Sequence, residues 1–316
     1  MKLEQALTFD DVLIRPGYSS ILPRDVNTQT KFSREISINI PLVSAAMDTV
    51  TEAKLAIAIA QGGGIGVLHK NNTIQQQVVE VIKVKKYESG MVVDPITISA
   101  ESNLKELFRL KKKYNISGFP VVDNKNKLVG IITNRDVRFA QNMSQPIKEI
   151  MTKSNLITAE EGIKQKKALE ILHNNKVEKL IVIDKTKKCV GLITVTDIEK
   201  SHKFPLATKD NIGRLRVAAA IGVGADGLER AESIYNAGAD AIVLDTAHAH
   251  SKRVIDTIKD LKKMVKNNIQ IIAGNIATKE AAKLLAKNKV DGIKIGIGPG
   301  SICTTRVIAG VGVPQF

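Results

Sequence analysis

The chain has 316 residues, a length that predicts two domains, or one barrel that carries an insertion. Its 43% hydrophobic content supports a packed core, and no apolar run is long enough to predict a membrane span. The net charge of +15 comes from lysines beside acids in helical patterns, and aromatic residues make up only 3%, which disfavours a nucleic-acid groove. Two cysteines and no secretory signal indicate a reducing cytoplasm rather than a disulfide framework.

The first part of the chain, residues 1–90, contains two short apolar runs. These are "INIPLVSAAM" (38–47) and "GGIGVLH" (63–69), and each reads as a strand. Thr49 and Glu52 follow the first run at the spacing of a capping box, so we expect them to cap the next helix.

The middle of the chain repeats itself. The stretch "NISGFPVVDNKNKLVGIITNRDV" (115–137) resembles "KVEKLIVIDKTKKCVGLITVTDI" (176–198), and each copy reads as strand, polar turn, strand. Corresponding residues keep one constant spacing: Asp123 with Asp184, Thr133 with Thr194, and Asp136 with Asp197. One such unit is too small to bury its own core well, so the two copies should pack together.

This repeat resembles a tandem pair of cystathionine-β-synthase-type (CBS) domains over 91–202, with units 91–148 and 149–202. The resemblance implies a regulatory purine nucleotide, bound through Thr133, Asp136, Thr194 and Asp197, with each Asp accepting from ribose hydroxyls. The alternative is that Asp136 and Asp197 N-cap the helix that follows, where a carboxylate oxygen satisfies free N–H groups. The two roles can coexist.

The last part, residues 203–316, alternates short apolar runs with helical patterns, which predicts a parallel sheet covered on both faces. A doubly wound sheet is one option, because Gly222, Gly224 and Gly227 precede a helix and Asp245 ends the next strand, as in a dinucleotide fingerprint. However, polar residues follow several strands rather than one switch point. We therefore predict an α/β fold of the (β/α)8 TIM-barrel type, with about six of its eight strands in this chain and the repeat inserted after the second.

One of the two cysteines lies in "GIGPGSICTTR" (296–306), among glycines and hydroxyl side chains. Cys303 is either a small apolar residue at the start of a helix or a thiol presented for chemistry. A thiol is a weak nucleophile unless its surroundings favour the thiolate, and Ser301, Thr304 and Thr305 can hydrogen-bond phosphate, water or substrate. A following helix would add the positive end of its dipole.

Together, "ALTFDDVLIRPGYS", "SAAMDTVTE", the inserted repeat and "GIGPGSICTTR" make the sequence similar to the inosine-5′-monophosphate (IMP) dehydrogenase family over essentially its whole length. The resemblance implies attack of Cys303 on C2 of the purine, hydride transfer to NAD, and hydrolysis of the thioimidate to xanthosine monophosphate. GMP reductase, which shares the barrel and a similar cysteine loop but usually lacks the insert, is one alternative. A nucleotide-sensing module on a catalytically inactive scaffold is another.

The resemblance also implies roles for individual residues. Cys303 and Thr305 would be catalytic, Thr305 lying near the attacking water, whereas Ser301, Met47 and Ile302 would contact IMP. NAD would be held by Asp245, Asn275, Gly296, Ile297 and Gly298. The backbone carbonyls of Gly298, Gly300 and Cys303 would hold K⁺. The implied assembly is a homotetramer, which nucleotides at the insert can pair into octamers.

Six strands leave two edges unpaired, so we expect residues 1–316 to be the front part of a longer enzyme and to be inactive alone.

Overall fold

The computed structural model describes residues 5–87, 92–93, 95–114, 116–140, 142–163, 165–195, 203–266 and 268–316. These fall into two compact units. The sheet unit comprises Met1–Tyr87, Leu206–Asn211 and Leu215–Phe316. The insert unit comprises Glu88–Pro205 and Ile212–Arg214.

Strands and helices alternate along most of the described chain. The strands are β1 (Thr30–Lys31), β2 (Ser37–Ile38), β3 (Val43–Ser44), β4 (Ile65–Leu68), β5 (Val92–Val93), β6 (Ile98–Ser99), β7 (Gly118–Val122), β8 (Leu128–Thr133), β9 (Thr158–Glu160), β10 (Lys179–Ile183), β11 (Cys189–Thr194), β12 (Val217–Ile221), β13 (Ala241–Asp245), β14 (Gln270–Ile276) and β15 (Gly292–Ile295). The α-helices are α1 (Ala53–Gln61), α2 (Ile74–Tyr87), α3 (Leu104–Tyr114), α4 (Ile147–Ile150), α5 (Gln165–Asn174), α6 (Gly224–Asn236), α7 (Lys252–Val265), α8 (Lys279–Lys287) and α9 (Thr305–Ala309). Two 3₁₀ turns, Phe9–Asp11 and Pro23–Asp25, precede β1.

The sheet unit is built on six parallel strands in the order β15-β14-β13-β12-β4-β3. Each strand lies beside the next sheet strand along the chain, so the order never reverses. A doubly wound sheet has such a reversal at its switch point, whereas successive neighbours are typical of a (β/α) barrel. The predicted barrel-type architecture, with six strands, is confirmed.

Both faces of the sheet are buried. On β12, Val217, Ala219 and Ile221 belong to the core between the sheet and the helices, and Ala218 and Ala220 belong to a separate core on the other face. The second core also contains Ile36 and Ile38, from the β1–β2 hairpin. Burial on both faces explains why these strands read as continuous apolar runs.

The glycines that suggested a dinucleotide fingerprint have a packing role. A Cβ atom on Gly227 would lie 2.3 Å from the carbonyl oxygen of Gly222, so only glycine lets α6 approach the end of β12. Gly224 begins that helix with a φ of +79°. A residue with a side chain would be strained there.

In the insert unit, the sequence repeat becomes a structural repeat. One copy is β6-α3-β7-β8 and the other is β9-α5-β10-β11. The hairpin registers correspond, since Gly118 pairs with Thr133 and Lys179 pairs with Thr194. Each copy has its own buried cluster.

The predicted capping box at α1 is wrong. Glu52 is the N-cap residue but makes no side-chain cap hydrogen bond, and Thr49 lies in a turn with a φ of +59°. The N–H of Ala53 instead donates to Oε2 of Glu80, on α2, at 2.7 Å. The acceptor for the first N–H of α1 therefore comes from a neighbouring helix and not from the residues just before α1.

Among the described residues, no helix combines the length and apolar character needed to cross a bilayer.

Candidate functional site

Three neighbouring strands, β13 to β15, meet at their carboxyl ends through direct hydrogen bonds. The hydroxyl of Thr246 donates to the carbonyl of Gly274 at 2.8 Å, and the N–H of Asn275 donates to the carbonyl of Thr246 at the same distance. The side-chain amide of Asn275 donates to the carbonyl of Gly296 at 2.9 Å. The structure thus joins two of the predicted cofactor residues, Asn275 and Gly296.

Asn275 also leaves an acceptor open. Its Oδ1 atom is buried and has no hydrogen-bond partner among the described residues. A buried carbonyl oxygen without a donor is costly, and a ligand that carries an N–H or O–H group would remove that cost. The predicted role of Asn275 in binding a cofactor fits this observation.

Asp245 is the last residue of β13, and its Oδ1 atom lies 3.3 Å from Nζ of Lys294, on β15. Helix α7 begins at Lys252 with Ser251 as its N-cap residue, so Asp245 does not cap it. A Cβ atom on Gly274 would clash with Lys294, which places the lysine directly over the intervening strand. The arrangement leaves a partly buried carboxylate beside one ammonium, able to accept hydroxyl groups through its second oxygen.

Cys303 is partly buried in the loop before α9. Its Sγ atom lies 3.3 Å from Oγ1 of Thr305, and its N–H donates to the carbonyl of Gly300 at 3.0 Å. The Thr305 hydroxyl holds the pKa of the thiol below its usual value, with smaller contributions from the backbone of Thr305 and Gly298 and the charge of Arg306. Each of these groups stabilises the thiolate, the form that acts as a nucleophile.

The rest of this loop is shaped by glycine. The stem of Arg306 passes so close to Gly298 and Gly312 that a Cβ atom on either would lie under 3 Å from its Cγ. Gly296 and Gly298 have φ values of +123° and +76°. Helix α9 has five residues, so the predicted dipole contribution comes from a single short turn.

Predicted substrate contacts are accessible. Met47 is 43% exposed and Ile302 is 76% exposed, and the side chain of Ser301 is exposed as well. Ile297, by contrast, is buried, and its carbonyl accepts from the N–H of Val313. Ile297 can therefore serve a ligand through its position in the loop rather than through its side chain.

The three carbonyls predicted to hold K⁺ differ in whether they already accept a backbone hydrogen bond. The carbonyl of Gly300 accepts from Cys303, whereas those of Gly298 and Cys303 receive no backbone hydrogen bond within the described part of the chain. Two free carbonyls on one tight loop suit a weakly hydrated monovalent cation. The residues present thus fit the implied ion.

A second polar cluster surrounds His69, directly after β4. Its Nε2 atom lies 3.9 Å from Oδ1 of Asp48 and 3.8 Å from Oε1 of Glu52. Within the described ranges, this is the one group of three or more His, Cys, Asp or Glu side chains whose ligand atoms lie close enough together to hold a metal ion. However, Nδ1 accepts the N–H of Asn71 at 3.1 Å, so the ring proton lies on Nε2 and blocks the atom that a metal would use.

The insert unit contains a cavity of about 600 Å³ between its two repeats. Thr133 and Asp136 line it, and Lys176 and Lys179 supply positive charge from the second repeat. Thr194 pairs with Lys179 in the β10–β11 register. Asp197, the fourth predicted nucleotide residue, lies outside the described residues.

Asp136 already has partners in this cavity. Its Oδ2 atom accepts from both the N–H and the hydroxyl of Thr133 at 2.7 Å, and Oδ1 accepts from the hydroxyl of Thr152 at 2.9 Å. Residues 134–139 form turns, so Asp136 closes a local turn rather than capping a long helix. A carboxylate oxygen accepts more than one hydrogen bond, which leaves room for a ribose hydroxyl.

Sequence reasoning missed Lys294 and His69. Lys294 lies inside the apolar run "GIKIGIG", and His69 ends the run "GGIGVLH". The usable signal for His69 was its position at the end of a predicted parallel strand, whereas Lys294 gave no local signal.

Comparison with known proteins gives consistent results. Residues 6–316 match the family model described as "IMP dehydrogenase / GMP reductase domain". The inosine-5′-monophosphate dehydrogenase of Aquifex aeolicus is 53% identical over 100% of this chain and 64% of its own length. That of Rhizobium tropici is also 53% identical, over 98% of this chain and 62% of its own. The chain therefore spans less than two thirds of the length of these relatives.

A solved structure is also similar. The GMP reductase of Trypanosoma brucei, in complex with guanosine 5′-triphosphate, superposes with a TM-score of 0.90 at 36% identity, over 99% of this chain and 76% of its own. Because the match covers nearly the whole chain, a GMP reductase can carry a counterpart of the insert unit. The insert therefore does not by itself separate the two activities.

Proposed function

The chain belongs to the IMP dehydrogenase / GMP reductase family, and we propose that it carries the cysteine site of an NAD-dependent enzyme that oxidises IMP to xanthosine monophosphate. The observation that supports this most is the thiol of Cys303, held partly buried beside Thr305 with its pKa lowered. The names of the relatives at 53% identity favour IMP dehydrogenase.

Cys303 would act as the nucleophile. Its thiolate forms a C–S bond to C2 of the purine, and the C2–H bond breaks with departure of a hydride. NAD, when bound, supplies the acceptor for that hydride. Water then adds to the same carbon, the C–S bond breaks, one proton is released and the thiolate is restored. Thr305, which contacts the sulfur at 3.3 Å, would lie near the water that adds.

Other residues would hold the two ligands. Met47 and Ile302 offer exposed apolar surface to a purine, and Ser301 offers a hydroxyl to its phosphate. Asp245 would accept the hydroxyls of the nicotinamide ribose, and the open Oδ1 of Asn275 would accept from the cofactor. The glycine backbone 296–298 would lie against it.

K⁺ would be held by the carbonyls of Gly298, Gly300 and Cys303. Bound there, the ion would neutralise the partial charges of these carbonyl oxygens and order the loop.

The insert unit would bind a purine nucleotide as a CBS pair. Thr133 and Asp136 would face the ribose, with Thr194 and Asp197 as their counterparts, and the phosphates would meet the basic side chains of the cavity. A homotetramer that nucleotides pair into octamers, and a cytoplasmic location, complete the proposal.

The test supplies IMP with NAD, or GMP with NADPH, to the chain and follows NAD(P)H absorbance. Mass spectrometry then looks for a purine adduct on Cys303. Oxidation of IMP with an adduct supports the proposal, whereas consumption of NADPH with GMP alone supports the GMP reductase alternative. Absence of the adduct with either nucleotide contradicts a role for Cys303 in this chain, whereas absence of turnover alone does not, because residues 1–316 are expected to be inactive alone.

A further inference from the structure

The segment 45–52 is a compact loop at the carboxyl end of β3 that presents Met47. The hydroxyl of Thr51 donates to the carbonyl of Ala45 at 2.5 Å, and the carbonyl of Met47 accepts from Val50 and Thr51. Among residues 45–52, only Thr51 has a fully buried side chain. The loop therefore depends on neighbouring segments to hold its exposed part in place.

His69 supplies such support from a rigid base. It is 5% exposed, and its N–H faces the carbonyl of Thr51 at 3.4 Å. Its own carbonyl accepts from the amide of Gln77 at 3.0 Å, and that fully buried amide also donates to the carbonyl of Ala220 on β12 at 2.9 Å. The backbone of His69 is thus fixed to two strands and a helix.

The imidazole ring has a defined orientation. Because Nδ1 accepts from the backbone of Asn71, the Nε2–H group points at the gap between Asp48 and Glu52. The side chain of Asn71 donates to the other oxygen of Asp48 at 2.6 Å. Asp48, the residue next to Met47, is therefore held from two sides.

The charges explain why this contact matters. Asp48 and Glu52 are both exposed acids, and they repel each other across the gap. The distances from Nε2 to the two carboxylate oxygens are longer than a direct hydrogen bond. The Nε2–H group therefore attracts both carboxylates through the positive end of its dipole. Removing the N–H would leave the repulsion unopposed beside Met47.

We propose that His69 is a positioning residue, whose Nε2–H group fixes the loop 45–52 and thereby orders Met47 for the purine. This inference rests on the proposed function, because it assigns to Met47 a contact with substrate. The inference assigns the positioning role to Nε2 and not to Nδ1, and two substitutions can distinguish the roles of these two nitrogens.

The variants are His69→Asn and His69→Gln, made in the full chain. Asparagine keeps an acceptor near the position of Nδ1 but has no N–H at the position of Nε2. Glutamine carries an amide N–H near the position of Nε2. His173→Asn is the matched control, because His173 is an exposed residue of α5. We expect the Kd for IMP, measured by calorimetry, to rise roughly 5- to 10-fold in His69→Asn and to recover in His69→Gln.

Hydrogen exchange of the free protein tests the positioning step without substrate. We expect faster exchange of amides 45–52 in His69→Asn, and wild-type rates in His69→Gln and His173→Asn. Unchanged exchange in His69→Asn would overturn the inference, whether or not the protein oxidises IMP. Faster exchange in a chain that neither binds nor oxidises IMP would instead refute the proposed function and leave the loop contact standing.

Titration with Zn²⁺ and Mn²⁺ supplies a further arm. We expect no stoichiometric binding, since the ring proton occupies Nε2. Tight binding of either ion that His69→Asn abolishes would overturn the assigned tautomer, and with it the inference.

Discussion

The sulfur of Cys303 and the hydroxyl oxygen of Thr305 lie 3.3 Å apart, on either side of Thr304, the N-cap residue of α9. A hydroxyl at this distance can donate to a thiolate but gains less from a neutral thiol. The contact therefore lowers the pKa of Cys303, and it does so without a histidine or a buried cation.

Replacing Thr305 with valine should raise the pKa of Cys303. The sign follows from the cause, because loss of the hydroxyl destabilises the thiolate more than the neutral thiol. The pH dependence of alkylation by iodoacetamide measures this directly: the rising limb of the rate should move to higher pH. The rate at neutral pH should fall.

Thr304→Val is the matched control for that experiment. Thr304 is exposed and precedes the helix without a side-chain cap bond, so its removal should leave the alkylation profile in place. A shift of equal size in both variants would mean that the loop has been disordered rather than that one donor has been lost.

The barrel-type sheet was predictable because central strands such as β12 are buried on both faces and, apart from the insert, the connections are short. The placement of Asp245 followed from its position at a strand end. Its partner Lys294 did not, since only the alignment of β13, β14 and β15 brings a residue of β15 across Gly274. The capping box failed for a similar reason: Glu80, from another helix, replaces the local acceptor. Cross-strand register and contacts from distant segments are the parts that local pattern does not contain.

Lys294→Met should weaken NAD binding. The lysine faces Oδ1 of Asp245, and removing it leaves the carboxylate without its partner and free to rotate. The ammonium is partly exposed, so the pair is worth at most about 1 kcal/mol and the Kd for NAD should rise about 2- to 5-fold. Calorimetric titration of the chain with NAD would measure this.

Lys294→Arg should restore most of the NAD affinity, because it retains the positive charge beside Asp245. Lys287→Met, on the exposed surface of α8, should have no effect. An unchanged Kd for NAD in Lys294→Met would argue against a role for Asp245 in holding the ribose.

Lys85→Ala should strongly destabilise the sheet unit. Lys85 is 4% exposed, and its ammonium donates to Asp210, Asp240 and the carbonyl of Leu215 at 2.8–3.0 Å. Burial raises the pKa of Asp240 against the opposing effect of Lys85, which shows how much that carboxylate depends on the ammonium. Removing one partner of a buried pair costs roughly 3–5 kcal/mol.

Hydrogen exchange of the amides of β12 and β13 would report this loss as reduced protection. Lys83→Ala is the control on the same helix, since Lys83 is 58% exposed and its pair with Glu80 should contribute less than about 1 kcal/mol. Equal losses in the two variants would contradict the importance assigned to the buried network.

Asp136→Ala should weaken binding of a purine nucleotide to the insert unit by about 10- to 100-fold, the effect of losing one charge-assisted hydrogen bond to a ribose hydroxyl. Asp136 also closes the turn with Thr133 and Thr152, so a purely structural role predicts a different result. Asp123→Ala removes the same charge from the turn at the other end of the β7–β8 hairpin, where Asp123 accepts from Lys125 and Lys127. Calorimetry with ATP and GTP should show weaker binding in Asp136→Ala alone. Unchanged affinity in Asp136→Ala, together with a lower melting temperature, would assign this carboxylate to the turn and not to the nucleotide.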